Sequence, residues 1–336
     1  MKKTLAVAAV LAAFAGSAAA DVTVYGRVDM GVNFNSDTNT LQMRTGQSSG
    51  NRYGLKGSEK ISENLTVGFQ LEQGFDVDTG ADKATTGFHR ESRVYVATDY
   101  GTFHFGRMGT LSSGVGSVSI SDDLTVFGTG YAALSSGDMN YIVNGDTRRN
   151  NVVTYQSPKM AGATVYAQVA SDEAEGWAQG SNRYYAAAVD YKAGAFSAGL
   201  VASLTDAATV KSEGEHKMQV IAGVGYDFGV AKAKLTASYT EYDLAGDESY
   251  GVLLGVSAPV MGGTFDVQVG YSDGVSELGK DKVATKDVER FSAAAIFQYP
   301  LSKKTSLYVG TGYAEEDVAG TKSNKAEYFA GMLHKF

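Results

Sequence analysis

The chain has 336 residues, with 37 acidic against 29 basic side chains, a net charge of −8, a mean hydropathy of −0.15 and no cysteine. That balance argues against nucleic acid as a partner, since phosphate binding draws on clustered Lys and Arg, and the fold must stand without disulfides. Forty-one glycines, three prolines, 20 Tyr and 15 Phe belong to a turn-rich β protein rather than a helical one.

The first element in the chain is a targeting segment. Met1-Lys2-Lys3 is followed by an apolar stretch from Leu5 to Phe14 and by small residues from Gly16 to Ala20, which predicts a secretory signal peptide over residues 1–20 and a mature chain from Asp21. The apolar stretch falls short of the roughly twenty residues that a permanent transmembrane helix needs. Without Lys2 and Lys3 the mature chain carries 27 basic and 37 acidic residues, a net of −10. No later apolar run reaches helical spanning length, so a membrane protein of this profile is a closed β-barrel, which alone among sheets leaves no edge unsatisfied in lipid.

The body of the chain alternates with period two. From Val22, the residues Val24, Val28, Met30, Val32 and Phe34 share a face with Gly26, and Thr23, Tyr25, Arg27, Asp29 and Asn33 share the other. Val165, Ala167 and Val169 alternate with Thr164, Tyr166 and Gln168. Between Lys217 and Phe228 the even positions are apolar or aromatic and the odd ones polar or small, Ile221 alone breaking the pattern. Leu235, Ala237 and Tyr239 alternate with Lys234, Thr236 and Ser238, and Phe265, Val267, Val269 and Tyr271 with Asp266, Gln268 and Ser272. Each segment matches a tilted strand crossing the hydrocarbon, and such segments number about sixteen, as in barrels that enclose an aqueous channel. The predicted fold is therefore all-β, a transmembrane antiparallel barrel forming a single domain over residues 21–336.

A soluble sandwich also alternates. Against it stand the aromatics where apolar faces end, among them Tyr226, Phe228, Tyr239, Tyr299 and Tyr313, which read as interfacial girdles. Short connections, such as Tyr100-Gly101, Phe228 to Ala231 and Leu301 to Lys304, alternate with long polar ones at Val77 to Thr86, Asp172 to Asn182, Asp206 to Glu215, Gly274 to Lys286 and Asp317 to Asn324. The longest connection runs from about Met108 to Asn150 and is rich in Gly and Ser. In a wide barrel it reads as a loop folded inward to narrow the lumen, with a free outer loop as the alternative.

Several stretches resemble the general, non-specific porin family of Gram-negative bacteria: VTVYGRVD at Val22–Asp29, NRYGLKGSE at Asn51–Glu59, GFQLEQGF at Gly68–Phe75, GTFHFGR at Gly101–Arg107 and NNVVTYQSP at Asn150–Pro158. Their order over the mature length makes the resemblance specific. It implies an outer-membrane homotrimer of sixteen-stranded barrels, each with an inward third loop, through which small hydrophilic solutes and ions diffuse passively, embedded in lipid and lipopolysaccharide and using no cofactor. The terminal Phe336 is similar to the residue that this family presents to the barrel-assembly machinery.

Function then rests on pore radius and the field at the narrowest section. Strand parity turns Arg27 and Arg93 to the lumen, and the resemblance adds Arg52, Arg148 and Arg149 to a basic wall. Arg107 shares parity with Phe103 and Phe105 and joins that wall only if its strand bends. Asp122, Asp123 and Asp138 are the opposing acids expected of the loop. The arginines lead to the expectation of a mild anion preference. The four histidines show no zinc spacing, HExxH is absent, and so is the Gly-x-Ser-x-Gly nucleophile turn. A substrate-specific channel with an aromatic slide along Tyr25, Tyr95, Tyr166 and Tyr308 is the first alternative, and an outer-membrane barrel enzyme the second.

Overall fold

The computed structural model describes residues 22–128, 147–171, 183–206, 216–242, 247–274, 276–278, 283–285 and 287–336. The signal-peptide reading of residues 1–20 and the loop acid Asp138 lie outside them.

The strands are β1 (Thr23–Asn35), β2 (Thr40–Thr45), β3 (Arg52–Ser62), β4 (Leu65–Gly74), β5 (Glu91–Thr98), β6 (Gly101–Gly109), β7 (Arg148–Gln156), β8 (Ala163–Ala170), β9 (Arg183–Ala193) and β10 (Phe196–Asp206). They continue through β11 (His216–Asp227), β12 (Lys232–Tyr242), β13 (Asp247–Val260), β14 (Gly263–Gly274), β15 (Ser276–Leu278), β16 (Val283–Thr285), β17 (Val288–Pro300), β18 (Thr305–Val318) and β19 (Thr321–Lys335). Among the described residues, β15 and β16 pair with each other and not with the barrel. All other neighbours are antiparallel, and β1 closes the ring on β19, from Arg27 opposite Lys335 to Asn35 opposite Glu327. β2 pairs with Met30–Asn35 and β3 with Thr23–Arg27, so the two lie end to end along β1 as one crossing strand interrupted at 46–51. With those halves joined, sixteen strands close the barrel.

Burial is inverted relative to a soluble β protein. Val24, Val224 and Leu254 are each about half exposed on the outer face, whereas Asn33, Thr236 and Gln268 are buried on the inner one. Apolar side chains turned outward and polar ones inward are what lipid outside and water inside select. The C-terminus completes the closure. The Phe336 amide donates to Gly26 O at 3.1 Å and the Gly26 amide to Phe336 O at 3.2 Å, and the Phe336 ring lies where a side chain on residue 26 would be.

The strand ends refine the predicted connections. Met108 and Gly109 still belong to β6 and Arg148 to Asn150 to β7, which narrows the long loop to 110–147. The connection expected from Asp317 to Asn324 is instead a tight hairpin: Asp317 pairs with Lys322 and Val318 with Thr321, and Ala319-Gly320 turn with positive φ. Its polar residues have the composition of a loop, yet they are the outer rungs of two long strands standing above the apolar band.

The described part of the long loop crosses the inside of the barrel. Leu111 donates its amide to Gln168 Oε1 in β8 at 3.0 Å, and Val126 donates its amide to Gln268 Oε1 in β14 at 3.1 Å. Between them a short helix, α1 (Ser121–Leu124), lies on β10, β11 and β12. The inner wall is shaped for it. A side chain on Gly199 or Gly223 would meet Leu124, and one on Gly255 would meet Val126. Ile221, the break in the alternation of β11, is fully buried on the inner face that this helix covers. Met108, Leu111, Val118, Ile120 and Val152 form an apolar cluster with the β8–β10 wall, and Phe127 packs on a second one containing Leu253, Ile296 and Phe329.

Candidate functional site

The charged groups of the lumen gather where β1, β3, β4 and β5 meet the loop. Glu72 has the parity of Gln70 and Glu91 that of Arg93, so the two carboxylates face each other across the β4–β5 pair. Like charges directly opposite in a sheet repel, and arginines relieve the repulsion. Glu72 Oε1 accepts from Arg90 at 2.7 Å and from Arg52 at 3.4 Å, while Glu91 Oε2 lies 3.3 Å from Arg93 Nε. Tyr25 adds a hydroxyl donor to Glu72 Oε2 at 3.0 Å. Both carboxylates are almost fully buried, with the guanidiniums in front of them.

Arg52 lies within electrostatic reach of Arg27, Arg90 and Arg148. Arg27 donates to Ser49 Oγ at 2.6 Å and Arg52 to the same hydroxyl at 3.1 Å. Arg27, Arg52 and Arg90 line one side of a cavity of about 400 Å³, the far side of which is formed by Gly114–Gly116, Val126 and Phe127 of the loop. The other charged residues around it are Lys335 and Asp266. Arg93 lines a second cavity of about 720 Å³ together with Tyr25, Lys56, Tyr95 and His104. Each tyrosine ring there carries a cation, Lys56 over Tyr25 at 5.4 Å and Arg93 over Tyr95 at 5.7 Å.

Not every expected residue joins this group. Arg149 lies over the Tyr184 ring at 5.3 Å, on the β9 side. The β6–β7 register shifts between Gly106 and Met108, and Arg107 donates to His89 O at 2.5 Å and to Asn150 Oδ1 at 2.7 Å, which commits its donors to the loop before β5 and the start of β7 rather than to the cavities. Asp123 does not face the arginines. Its carboxylate meets Lys192 at 2.7 Å, and Lys234 donates to the carbonyls of Asp123 and Thr125 at 2.7 and 2.8 Å. Sequence parity could not reveal this, because a loop residue has no parity and its partner is 69 positions away. Asp122 lies on α1 beside Asp123. The aromatic slide is not assembled either: Tyr25 and Tyr95 face the larger cavity, whereas Tyr166 is buried against the loop and Tyr308 against Asp29.

Several participants went unread in the sequence. Glu72 and Glu91 carried a parity signal, and Lys234 did too within β12. Arg90 sits in the irregular segment before β5 and carried none. His89 beside it is shifted below the ordinary imidazole range, first by burial and then by the neighbouring cations Arg90, Arg148 and Arg107.

Comparison with known proteins agrees with this geometry. The family model described as Gram-negative porin matches residues 6–319. Outer membrane porin protein 32 of Delftia acidovorans is 30% identical over 344 residues, covering 97% of this chain and 93% of that one. An outer membrane porin protein of Bordetella pertussis is 27% identical over 398 residues and covers both chains completely. Among solved structures, an anion-selective porin from Comamonas acidovorans superposes with a TM-score of 0.76 at 24% identity, over 95% of this chain and all of that one. A trimer form of an outer membrane protein of Vibrio cholerae, OmpT, superposes with a TM-score of 0.72 at 14% identity, over 95% and 100% of the two chains. At these identities the last two likenesses establish the shared barrel fold. With the closed barrel, the inverted burial and the wet charged lumen, the matched model places the chain in the Gram-negative porin family, as an outer-membrane channel for passive diffusion.

Proposed function

We propose that the channel prefers anions and that its selectivity is set by the wall arginines Arg27, Arg52, Arg93 and Arg148, with Arg90 as a fifth. The observation that carries the reading is the charge around the smaller cavity, where Arg27, Arg52, Arg90 and Lys335 outnumber Asp266. Of the three loop acids expected to oppose them, Asp122, Asp123 and Asp138, Asp123 is engaged by Lys192 instead. An anion entering this section meets fixed positive groups held by buried carboxylates, and a cation meets the same groups as a barrier. The anion selectivity of the similar barrel from Comamonas acidovorans supports the same preference here.

The working unit is a homotrimer, a reading supported by the trimer form of the Vibrio cholerae barrel. Phe336 serves as the assembly signal, residues 1–20 as the cleaved leader, and lipid and lipopolysaccharide surround the outer face. The test is a planar-bilayer recording under a KCl gradient. Stepwise ohmic conductance in multiples of three, with a reversal potential on the anion side, is expected; a reversal potential on the cation side overturns the proposed selectivity.

A further inference from the structure

Asp29 lies on the lumen face of β1 next to the arginine wall, yet it is completely buried. What buries it is the segment 46–51, which interrupts the crossing strand formed by β2 and β3. The Ser49 amide donates to Asp29 Oδ2 at 2.6 Å, and the Tyr308 hydroxyl of β18 donates to Asp29 Oδ1 at 2.7 Å. The main chain of residue 29 takes part as well: its carbonyl accepts from the Gly46 amide at 2.9 Å, and its amide donates to Asn51 Oδ1 at 2.5 Å. Asn51 is in turn bonded to Thr45, across the foot of the same segment. Residue 29 therefore ties down both ends and the middle of the interruption.

The front of that segment holds the pore charges. Ser49 Oγ accepts from both Arg27 and Arg52, and Gly50 O accepts from Arg52 Nε at 3.1 Å. One residue, Ser49, is thus held from behind through its amide and holds two guanidiniums in front through its hydroxyl.

Resting on the anion-preferring reading above, we propose that Asp29 is a positioning residue for selectivity, fixing the 46–51 segment so that Ser49 aims Arg27 and Arg52 into the smaller cavity. A carboxylate suits the task because its oxygens face several donors at once, the Ser48 and Ser49 amides and the Tyr308 hydroxyl. An amide at this position keeps one acceptor and turns an NH₂ group toward a donor. An alanine keeps neither.

The sign of the effect separates positioning from simple charge. If Asp29 acted through its own negative charge, its removal would raise anion preference. If it acts by aiming the two arginines, its removal disperses them and lowers that preference.

The full-length channel, purified from membranes, is reconstituted in planar bilayers as wild type, Asp29→Ala, Asp29→Asn, Ser49→Ala and Tyr308→Phe, and the chloride-to-potassium permeability ratio is read from the reversal potential. A fall of about twofold or more is expected in Asp29→Ala, with smaller falls in Asp29→Asn and Tyr308→Phe. Ser49→Ala, which leaves Asp29 and the barrel wall intact, lowers the ratio as Asp29→Ala does. An unchanged or raised ratio in Asp29→Ala overturns the proposal. Should that variant fail to fold, an unchanged ratio in Ser49→Ala overturns it instead. A wild-type channel that prefers cations refutes the selectivity reading separately, and the single-channel conductance of the variants against wild type then decides whether Asp29 shapes the passage: a change supports positioning, and equality refutes it.

Discussion

Replacing Arg27 with Gln removes one positive charge from the wall of the smaller cavity, where its guanidinium donates to the neutral Ser49 hydroxyl. A sphere of the volume of this cavity, 400 Å³, places a permeating ion roughly 5 Å from the lining charges. In bulk-like water two unit charges at that separation interact by about 0.8 kcal/mol. A Debye length of about 10 Å at 0.1 M salt reduces this to about 0.5 kcal/mol. An anion loses that much stabilisation and a cation loses as much repulsion, so their difference shifts by about 1 kcal/mol, or about fivefold in partitioning. The chloride-to-potassium permeability ratio, read from the reversal potential at low salt, should fall by that order in Arg27→Gln, stay close to wild type in Arg27→Lys, and converge with wild type at 1 M, where the Debye length is about 3 Å. An unaltered reversal potential in Arg27→Gln at 0.1 M would refute the assignment of selectivity to this wall.

Other perturbations test the remaining parts of the channel. Lys234 binds the carbonyls that end α1, so Lys234→Met removes two charge-assisted hydrogen bonds at a cost of about 2 kcal/mol in a partly wet site; the released loop should then be populated about thirtyfold more often, seen as more frequent brief closures in single-channel records, and an unchanged closure rate counts against the clasp. The Lys192–Asp123 ion pair is between exposed side chains, so Lys192→Met should leave the free energy of unfolding within about 1 kcal/mol of wild type by denaturant titration. Gly26→Val places a side chain on the Phe336 ring and should lower the unfolding midpoint, whereas Gly229→Val, in an open turn, should lower it less. His89 is held below the ordinary imidazole range, so it is neutral at pH 7 and charges only as pH falls beneath that range; anion preference should stay flat from pH 8 to about 6.5 and rise below it, the stability contributed by the neutral form being lost over the same descent, and His89→Gln should abolish the rise.

Period-two patterning made the barrel legible because each face meets a different solvent. Val24 and Val224 face lipid, Asn33 and Thr236 turn inward, and parity alone tells them apart. Where the lumen is dry, the pattern loses its meaning. Ile221 looks like an error in β11 until α1 is seen to cover it, and Gly199, Gly223 and Gly255 read as ordinary strand glycines until the loop is laid across them. The arginine wall was legible at Arg27 and Arg93, where parity holds, and illegible at Arg90, which lies outside a strand. The interruption at 46–51 was hidden for a related reason: Gly46 to Asn51 is polar and flexible enough to pass for a strand segment facing water, and only its pairing with Asp29 shows that it leaves the wall.

The depth order of charge explains how an acidic chain can hold a cavity lined mainly by cations. Asp29, Glu72 and Glu91 are all buried behind the cations they organise. A buried carboxylate cannot remain ionised in isolation, so each needs donors, and the available donors are guanidiniums in front of it or hydroxyls and amides beside it. The guanidiniums gain fixed directions in exchange, since Glu72 fixes Arg52 and Arg90 through one oxygen and Asp29 fixes Arg27 and Arg52 through Ser49. Without these anchors, cations this close together would splay apart and the field would spread along the lumen. With them, the potential is concentrated in the cavity that the loop helps to line, and the net charge of the chain carries little information about the charge of that lining.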